Sequence, residues 1–405
     1  MQSLIINLRN YFTTGDGEIS YSLYVVLFLT AIFLTYILTV TLIKLAPKIG
    51  AVDKPGGRKI HRVPVPKLGG LAIFIAFAIT VGLAVLFNPT VADEFLSQKT
   101  FAIFIGLFVM LLLGIYDDLF KLSWMWKFTF QIVAACIVIR QGLVITNITN
   151  PLGLMTLKIP IMFGFFFTIM WLVGLTNAVN LSDGLDGLAT GIVLIVSGVT
   201  FANSIYLMQT RPEQYQLFIF PAVTSVCILG ASVAFLKFNF YPARIFLGDT
   251  GSLFLGFLIA CTAVRSSQIS TTTVAFVVPV IALGLPILDT TLAFLRRTAK
   301  RRNPFRADMD HIHHRMIQSG LSHPQAVLVL YGFCILLGVA ALVLALKKNQ
   351  FAGIVLFVLT VITLIGFKRF GVLDVTRLWG MKNNNDELSD PLKSTEISKG
   401  KKHKK

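Results

Sequence analysis

Long apolar runs separated by short polar segments dominate the pattern of this chain. A run of about 20 apolar residues has the length of a membrane-spanning helix, because each residue advances a helix by about 1.5 Å through a hydrocarbon core about 30 Å thick. The pattern predicts about eleven such helices. Their expected positions are residues 21–46, 68–87, 99–116, 126–146, 161–178, 187–208, 217–236, 252–266, 274–294, 325–346 and 352–368.

The eighth predicted helix has the weakest signal, since only Leu253–Val264 is continuously apolar. We expect this helix to include Phe246 and Leu247 as additional apolar residues, to tilt in the membrane, or to be shielded from lipid by other helices. The apolar runs are continuous and do not alternate with polar residues, which excludes a transmembrane β-barrel. The predicted fold class is therefore all-α, a polytopic integral membrane protein.

Composition agrees with a membrane protein. The chain has 405 residues, of which 55% are hydrophobic and only 14% are charged, whereas soluble domains carry about 25% charged residues. Four cysteines lie inside apolar runs without the spacing of metal ligands, so they are predicted to be packing residues. They are Cys136, Cys227, Cys261 and Cys334.

Basic residues are concentrated in a few loops and in the C-terminal tail, and the net charge is +17. Loops 47–67 and 295–324 are rich in lysine and arginine, whereas loop 88–98 has no basic residue. By the positive-inside rule, both basic loops and the C-terminus are predicted to be cytoplasmic. We expect this charge to face anionic lipid and phosphate-bearing substrates, and we expect no nucleic-acid partner.

The helix count predicts how the whole chain is arranged. An odd number of helices with a cytoplasmic C-terminus places the N-terminus outside the cell. Residues 1–20 are expected to be extracytoplasmic, residues 21–368 to form a transmembrane catalytic domain, and residues 369–405 to be a disordered basic tail in the cytoplasm. Tyr21–Leu45 lacks the flanks of a cleaved signal, so we expect a retained first helix.

Five polar clusters interrupt the apolar pattern, and an even number of predicted helices separates each from the next. All five should therefore open on the cytoplasmic face, where helix packing could join them in one site. The first cluster, Asp53–Gly70, combines turn-forming glycine and proline with basic residues that suit phosphate. Tethering of this loop to anionic lipid is the alternative.

The second cluster places Asp117 and Asp118 together at a helix end, followed by Lys121. Adjacent carboxylates raise each other's pKa, so they are expected beside a cation, either a metal ion or Lys121. A local ion pair at a polar helix end is the alternative. Lys127 and Gln131 share a face of the fourth helix, where Lys127 could reach an anionic substrate or the membrane interface.

The third cluster, Asn177–Gly187, directly follows an apolar run. Asn177, Asn180 and Asp183 recur every three residues and would share one side of a continuing helix. Lipid-facing sequence cannot carry such polarity, so the cluster should line a wet cavity or a membrane surface. Its carboxamide and carboxylate oxygens suit Mg²⁺, and an Asn/Asp/Gly-rich turn is the alternative.

The fourth cluster, Asn239–Ser252, holds Asp249 between small residues at the entry to the eighth helix. Helix amides there would favour an anion, although Asp249 could act only as an N-cap. The fifth cluster, Asp310–Arg315, follows an arginine-rich run and suits a diphosphate, with a zinc site as the alternative. Asp289, in the ninth helix, would support the site or pair with a nearby arginine.

Together and in this order, the clusters resemble those of the polyprenyl-phosphate N-acetylhexosamine-1-phosphate transferases. The last motif is similar to that of the bacterial undecaprenyl-phosphate N-acetylglucosamine-1-phosphate transferases of teichoic-acid and surface-polysaccharide initiation. The phospho-MurNAc-pentapeptide transferases of peptidoglycan synthesis are the runner-up. The matching motifs are Asp117-Asp118-x-x-Lys121, Asn177-x-x-Asn180-x-x-Asp183-Gly-Leu-Asp186-Gly, Phe246-Leu-Gly-Asp249-x-Gly-Ser252 and His311-Ile-His-His-Arg315.

The resemblance implies roles for individual residues. Asn180 and Asp249 would bind Mg²⁺, with Mn²⁺ as the alternative metal. Catalytic residues would be Asp117 and Asp118, near the lipid phosphate, and Asp186, which would also line the nucleotide pocket. The remaining substrate-binding residues would be Asp53, Lys121, Lys127, Asn177, Asp183, His311, His313, His314 and Arg315.

The implied reaction transfers N-acetylglucosamine-1-phosphate from UDP-N-acetylglucosamine to undecaprenyl phosphate and releases UMP. Lys127 and the His311–Arg315 loop would hold the diphosphate, and Asp53 would lie near the lipid phosphate. The expected partners are a UDP-N-acetylhexosamine, undecaprenyl phosphate and membrane lipids, at the cytoplasmic membrane, with a homodimer left open. A transporter or flippase is the competing class, but transporters place ionisable residues near the bilayer midplane, whereas these acids cluster at predicted helix ends.

Overall fold

The computed structural model describes residues 2–14, 18–54, 63–149, 156–267, 283–299 and 312–346, together with residue 358. In these residues the chain is mostly α-helical, as the apolar pattern predicts. The eleventh predicted helix apart from residue 358, the basic tail, the beginning of the ninth predicted helix and His311 lie outside them, as do the side chains of His313 and His314.

Two small antiparallel hairpins accompany the helices. They pair β1 (Val52–Asp53) with β2 (Val65–Pro66), and β3 (Asn147–Thr149) with β4 (Thr156–Lys158). The helices of the described residues are α1 (Gln2–Phe12), α2 (Tyr21–Leu45), α3 (Gly69–Phe87), α4 (Pro89–Phe95), α5 (Gln98–Phe120), α6 (Trp124–Arg140), α7 (Ile161–Ser182), α8 (Leu188–Thr210), α9 (Ile219–Asn239), α10 (Gly248–Ser267), α11 (Gly284–Ala299), α12 (Ile312–Gln318) and α13 (His323–Leu346).

Within the described residues, seven helical segments are long and apolar enough to cross a membrane, and they coincide with the first, second, third, fifth, sixth, seventh and tenth predicted helices. The fourth and eighth predicted helices correspond to α6, which has 17 residues, and α10, which has 20. The total of eleven and the side on which each terminus lies stay predictions. The seven segments are Tyr21–Ile49, Gly69–Phe87, Gln98–Phe120, Ile161–Ser182, Leu188–Thr210, Pro212–Asn239 and His323–Val343.

Helix α10 forms the centre of the fold. Every residue from Thr250 to Ser266 is buried, because α3, α5 and α7 pack around it. A helix that contacts protein on all sides does not need the continuous apolar surface that lipid requires. Burial therefore explains the weak apolar signal of the eighth predicted helix, and the shielding expected for it is confirmed.

Small residues let the neighbours of α10 approach it closely. A Cβ atom at Gly70 of α3 would overlap the backbone of Gly251, and one at Gly114 of α5 would overlap the backbone of Thr250. On the third side, a Cβ at Gly256 would lie 2.8 Å from the Cα atom of Thr176 in α7. Backbone contact of this kind is a common way to pack helices within a membrane.

A buried ion pair holds the C-terminal end of α10 in place. Arg265 Nη2 lies 2.7 Å from Glu94 Oε1 of α4, with the two side chains only 8% and 13% exposed. Thr100 donates a further hydrogen bond to the same carboxylate oxygen at 3.3 Å. Removal of one partner would leave a buried charge uncompensated, so the pair constrains how far α10 can slide along its axis.

The packing around α10 predicts opposite effects for two glycine substitutions. Gly256→Ala should lower the free energy of unfolding by about 1–3 kcal/mol, because the new methyl group collides with the backbone of Thr176. Gly174→Ala, on the exposed face of α7 with nothing within 4 Å of the new atom, should leave stability unchanged or raise it slightly, since alanine favours helix. Thermal unfolding in detergent measures both. Equal melting temperatures for the two variants would contradict close packing at Gly256.

Candidate active site

The second polar cluster forms the last turn of α5. The helix ends at Phe120, because Lys121 adopts a left-handed conformation with φ of 56° and donates its N–H to the carbonyl of Asp117 at 2.9 Å. Asp117 Oδ1 accepts the N–H of Leu122 at 2.7 Å. One carboxylate oxygen of Asp117 thus closes the helix end, while the other faces the neighbouring helix α6.

Lys127 joins the second cluster to the fourth. Its Nζ atom, in the first turn of α6, lies 2.7 Å from Asp117 Oδ2 and 2.5 Å from Asp249 Oδ2. Lys121 was the lysine expected to neutralise the paired aspartates. Among the described residues the ion pairs instead go to Lys127 and Lys67, because the helix ends before Lys121 and leaves its side chain exposed.

Asp118 caps α10 from a neighbouring helix. Its Oδ1 accepts the N–H of Asp249 at 3.2 Å, and its Oδ2 accepts both the N–H and the hydroxyl of Thr250, at 3.0 and 2.7 Å. A carboxylate is well suited to these amides, which have no partner inside the helix. Gly248, with φ of +73°, leaves room for this contact, since a Cβ atom there would overlap the carboxylate.

The first cluster reaches the same place through backbone pairing. The N–H groups of Gly69 and Gly70 donate to the carbonyls of Phe246 and Leu247 at 3.0 and 2.9 Å. This pairing brings Lys67 Nζ to 3.6 Å from Asp118 Oδ1. Asp53 lies on the same hairpin, on β1 opposite Val65 of β2.

The third cluster contributes the C-terminal turns of α7. Asn177 Nδ2 donates to Gln131 Oε1 of α6 at 2.6 Å, and Asn180 Nδ2 donates to Ser252 Oγ of α10 at 2.8 Å. The Asn180 carboxamide also lies within interaction distance of the carboxylate of Asp249. The two asparagines are thus helical, as their spacing predicts, and they face two different neighbouring helices.

Asp183 follows the end of α7 and lies among the other carboxylates. Burial raises the pKa of Asp183 well above its usual range, and the nearby charges of Asp249, Asp118 and Asp186 raise it further. A hydrogen bond from the backbone N–H of Gly248 offsets only part of this effect. The position is therefore one where added positive charge would be stabilising.

Asp186 occupies the turn between α7 and α8, and three groups from elsewhere in the chain hold that turn. Its Oδ2 accepts the N–H of Ala243 at 3.0 Å, and its own N–H donates to His323 Nε2 at 2.9 Å. The carbonyl of Gly187 accepts the hydroxyl of Tyr331 at 2.6 Å. His323 and Tyr331 both belong to α13, so this helix supports the turn directly.

The fifth cluster is only partly described. Asp289 Oδ1 of α11 accepts the N–H of Ile312, the first residue of α12, at 2.9 Å. From the sequence, Asp289 could support the site or pair with an arginine. The hydrogen bond places Asp289 at the N-terminal end of α12, the short helix that carries Arg315. His311 and the side chains of His313 and His314 lie outside the described residues, so the diphosphate and zinc interpretations of this cluster stay predictions.

Three supporting residues were not identified as such from the sequence. Lys67 was one of several basic residues in its loop, but its place just before Gly69-Gly70 marks a close approach of the backbone to another segment. Gln131 was noted only for sharing a face with Lys127. His323 directly precedes a long apolar run, and an ionisable side chain at the start of a predicted membrane helix is the signal that indicates a possible role.

Within the described residues, acids outnumber the lysines that pair with them in the site. Lys67 pairs with one aspartate and Lys127 with two, whereas five aspartates lie there together. No three histidine, cysteine, aspartate or glutamate side chains there are arranged as a ready-made metal site. The arrangement can therefore attract a cation, but any metal would need amide, water or substrate oxygens as further ligands. The five aspartates are Asp117, Asp118, Asp183, Asp186 and Asp249.

Comparison with known proteins agrees with this arrangement. The sequence profile of glycosyl transferase family 4 matches residues 100–267, which contain the second, third and fourth clusters. Three related proteins each align with most of this chain.

The chain is 35% identical over 337 residues to the probable undecaprenyl-phosphate N-acetylglucosaminyl 1-phosphate transferase of Bacillus subtilis, covering 83% of this chain and 89% of that protein. It is 33% identical over 359 residues to the decaprenyl-phosphate N-acetylglucosaminephosphotransferase of Mycolicibacterium smegmatis, covering 85% and 88%. It is 27% identical over 292 residues to the undecaprenyl-phosphate alpha-N-acetylglucosaminyl 1-phosphate transferase of Escherichia coli, covering 71% and 74%. The chain therefore belongs to glycosyl transferase family 4, as the resemblance of its motifs predicts.

Proposed function

We propose that this protein transfers N-acetylglucosamine-1-phosphate from UDP-N-acetylglucosamine to undecaprenyl phosphate, releasing UMP and forming undecaprenyl-diphospho-N-acetylglucosamine. The relatives named above support the substrates. The observation that carries the proposal is the bridge from Asp117 through Lys127 to Asp249, which unites acids and a cation where α5 ends and where α6 and α10 begin. One substrate dissolves in water and the other in lipid, so their reaction needs such a boundary.

The site would face the cytoplasm, where UDP-sugars are found. The concentration of basic residues in loops 47–67 and 295–324 supports this orientation through the positive-inside rule. The acids also lie at the last turn of α5, directly after α7 and at the first turn of α10, not at mid-helix. That position favours an enzyme over a transporter, whose ionisable residues usually lie near the bilayer midplane.

The reaction exchanges one phosphoanhydride for another. An oxygen of the lipid phosphate forms a bond to the phosphorus that carries the sugar, and the bond from that phosphorus to the bridging oxygen breaks, leaving UMP with the electron pair. Both reactants are anionic, so the main barrier is their repulsion. Lys127, at the centre of the site, would offset that charge, together with the His311–Arg315 segment.

Asp117 is better placed than Asp118 to act on the lipid phosphate. Asp118 already accepts hydrogen bonds with both oxygens from the first turn of α10, whereas Asp117 directs Oδ2 toward Lys127. A phosphate monoester has a second pKa of about 6, so the nucleophile is mostly dianionic at neutral pH and needs little help from a base. Asp117 would remove a residual proton or orient Lys127, and a double displacement through an aspartyl phosphate is the alternative route.

The donor set fits Mg²⁺, with Mn²⁺ as the alternative metal. Asn180 and Asp249 are in contact and offer amide and carboxylate oxygens beside an excess of negative charge. Mg²⁺ is commonly held by one or two carboxylates, with waters and substrate phosphates completing its shell. Bound by these residues, the ion would supply charge that offsets the repulsion between the two phosphorylated substrates.

Substitution of the proposed metal ligands should abolish transfer. Asp249→Asn and Asn180→Ala are each expected to lower kcat at least on the order of 100-fold, the scale of losing one charge-stabilising group. The assay is release of radiolabelled UMP from UDP-N-acetylglucosamine by purified protein with undecaprenyl phosphate in detergent. Asp93→Asn, an exposed aspartate of α4, is the matched control and should retain activity. Wild-type turnover in either ligand variant would remove the metal assignment.

Removal of the metal should stop the reaction reversibly. Excess EDTA is expected to reduce UMP release to background, and added Mg²⁺ in excess over the chelator should restore it. The reason is that the basic side chains alone would not offset the repulsion among the substrates and carboxylates. The same preparation tested with UDP-N-acetylgalactosamine and UDP-MurNAc-pentapeptide measures the donor preference. Activity that persists in chelator would count against a metal-dependent reaction, and preference for the pentapeptide donor would favour peptidoglycan synthesis.

Substitutions of the two adjacent aspartates should differ in their effects: one should lower stability and the other should lower activity. Asp118→Asn replaces one acceptor oxygen with an NH₂ group that faces the first turn of α10, so it should lower the free energy of unfolding by about 1–3 kcal/mol. Asp117→Asn keeps an oxygen for the N–H of Leu122 and should leave the melting temperature unchanged while it lowers kcat. Thermal unfolding and UMP release measured on both variants test this difference. A larger loss of stability in Asp117→Asn would reverse the assignment.

A further inference from the structure

His323 connects the last described helix to the turn at Asp186. Its Nε2 atom accepts the backbone N–H of Asp186 at 2.9 Å, across 137 residues of sequence. The imidazole ring is stacked on Tyr241, with ring centroids 4.7 Å apart and an angle of 28° between the planes. The side chain thus touches both the third and the fourth polar clusters without belonging to either.

The hydrogen bond fixes the protonation state of this histidine. Because Nε2 accepts a hydrogen bond, the ring is neutral and its proton is on Nδ1. Nδ1 is buried and has no hydrogen-bond partner among the described residues. An unpaired buried N–H costs folding free energy, and a phenylalanine could stack on Tyr241 without that cost. The property that only the histidine supplies at this position is the acceptor at Nε2.

The turn held by His323 is the one that carries Asp186. Helix α13 contacts it at two successive residues, through the N–H of Asp186 and through the carbonyl of Gly187, which accepts the Tyr331 hydroxyl at 2.6 Å. The side chain of Asp186 is fixed in turn by the N–H of Ala243 at 3.0 Å. A shift of the turn would therefore move Asp186 relative to the fourth cluster.

We infer that His323 is a positioning residue, which uses Nε2 as a hydrogen-bond acceptor to hold the turn at Asp186 in the shape that binds the nucleotide of the donor. This inference rests on the proposed function, in which Asp186 lines the nucleotide pocket. His323 acts through Asp186 and does not take part in the transfer itself. Its loss should weaken binding of the nucleotide sugar and leave binding of the lipid phosphate unchanged.

Two substitutions separate the acceptor from the aromatic ring. His323→Phe keeps the ring on Tyr241 and removes the acceptor, so the KM for UDP-N-acetylglucosamine should rise on the order of tenfold, the effect of one lost hydrogen bond. The KM for undecaprenyl phosphate and the melting temperature should stay at wild-type values. His323→Gln restores an acceptor without the ring, because its amide oxygen can reach the Asp186 N–H, and it should return the donor KM to within about threefold of wild type.

The control and the wild-type baseline keep the outcomes distinct. Tyr21→Phe removes an exposed hydrogen bond to Gln209 and should change none of these values. Transfer that is absent in the wild-type protein would refute the proposed function. With active wild-type protein, an unchanged donor KM in His323→Phe would overturn the positioning role. Parallel increases in both KM values, a lowered melting temperature, or a failure of His323→Gln to restore the donor KM would likewise overturn it.

Discussion

Repulsion between carboxylates is the interaction on which the arrangement of this site depends. Five aspartates come together where helices begin or end, and a buried carboxylate is costly unless it is paired. Lys127 compensates two of them at once, while the first turn of α10 compensates Asp118 with backbone N–H groups. Asp183 remains undercompensated, which the upward shift of its pKa reflects. In the part of the site that the structure describes, acidic side chains therefore outnumber the lysines paired with them, so a bound cation would be stabilising.

This electrostatic arrangement also explains the unusual position of α10. A helix that begins at a polar site must satisfy its first amides with groups from other segments, and Asp118 does so. Its remaining length is enclosed by protein, with Gly251 and Gly256 at the close contacts and Arg265 paired at the far end. The central helix is therefore anchored at both ends, and the polar site and the packing of the fold depend on the same residues.

Periodicity and composition predicted the long helices and the meeting of the first four polar clusters, because both follow from local sequence and from the cost of polarity in lipid. Individual partners were harder to predict. Lys121 is the lysine nearest to Asp117 in sequence, but the end of α5 decides which lysine is in reach, and element boundaries are the least certain part of a sequence prediction. The contact between His323 and Asp186 joins residues 137 positions apart and depends on tertiary packing, which no local pattern encodes.

The adjacency of Asp117 and Asp118 is itself informative. Successive residues on a helix project about 100° apart, so one can face a packed neighbour while the other faces an open site. Asp118 is nearly buried against α10, and Asp117 directs an oxygen to Lys127. A single acid could not hold α10 in place and also exchange partners during a reaction, because movement of its carboxylate would release the first turn of that helix. Two adjacent acids let the support stay fixed while the chemistry proceeds beside it.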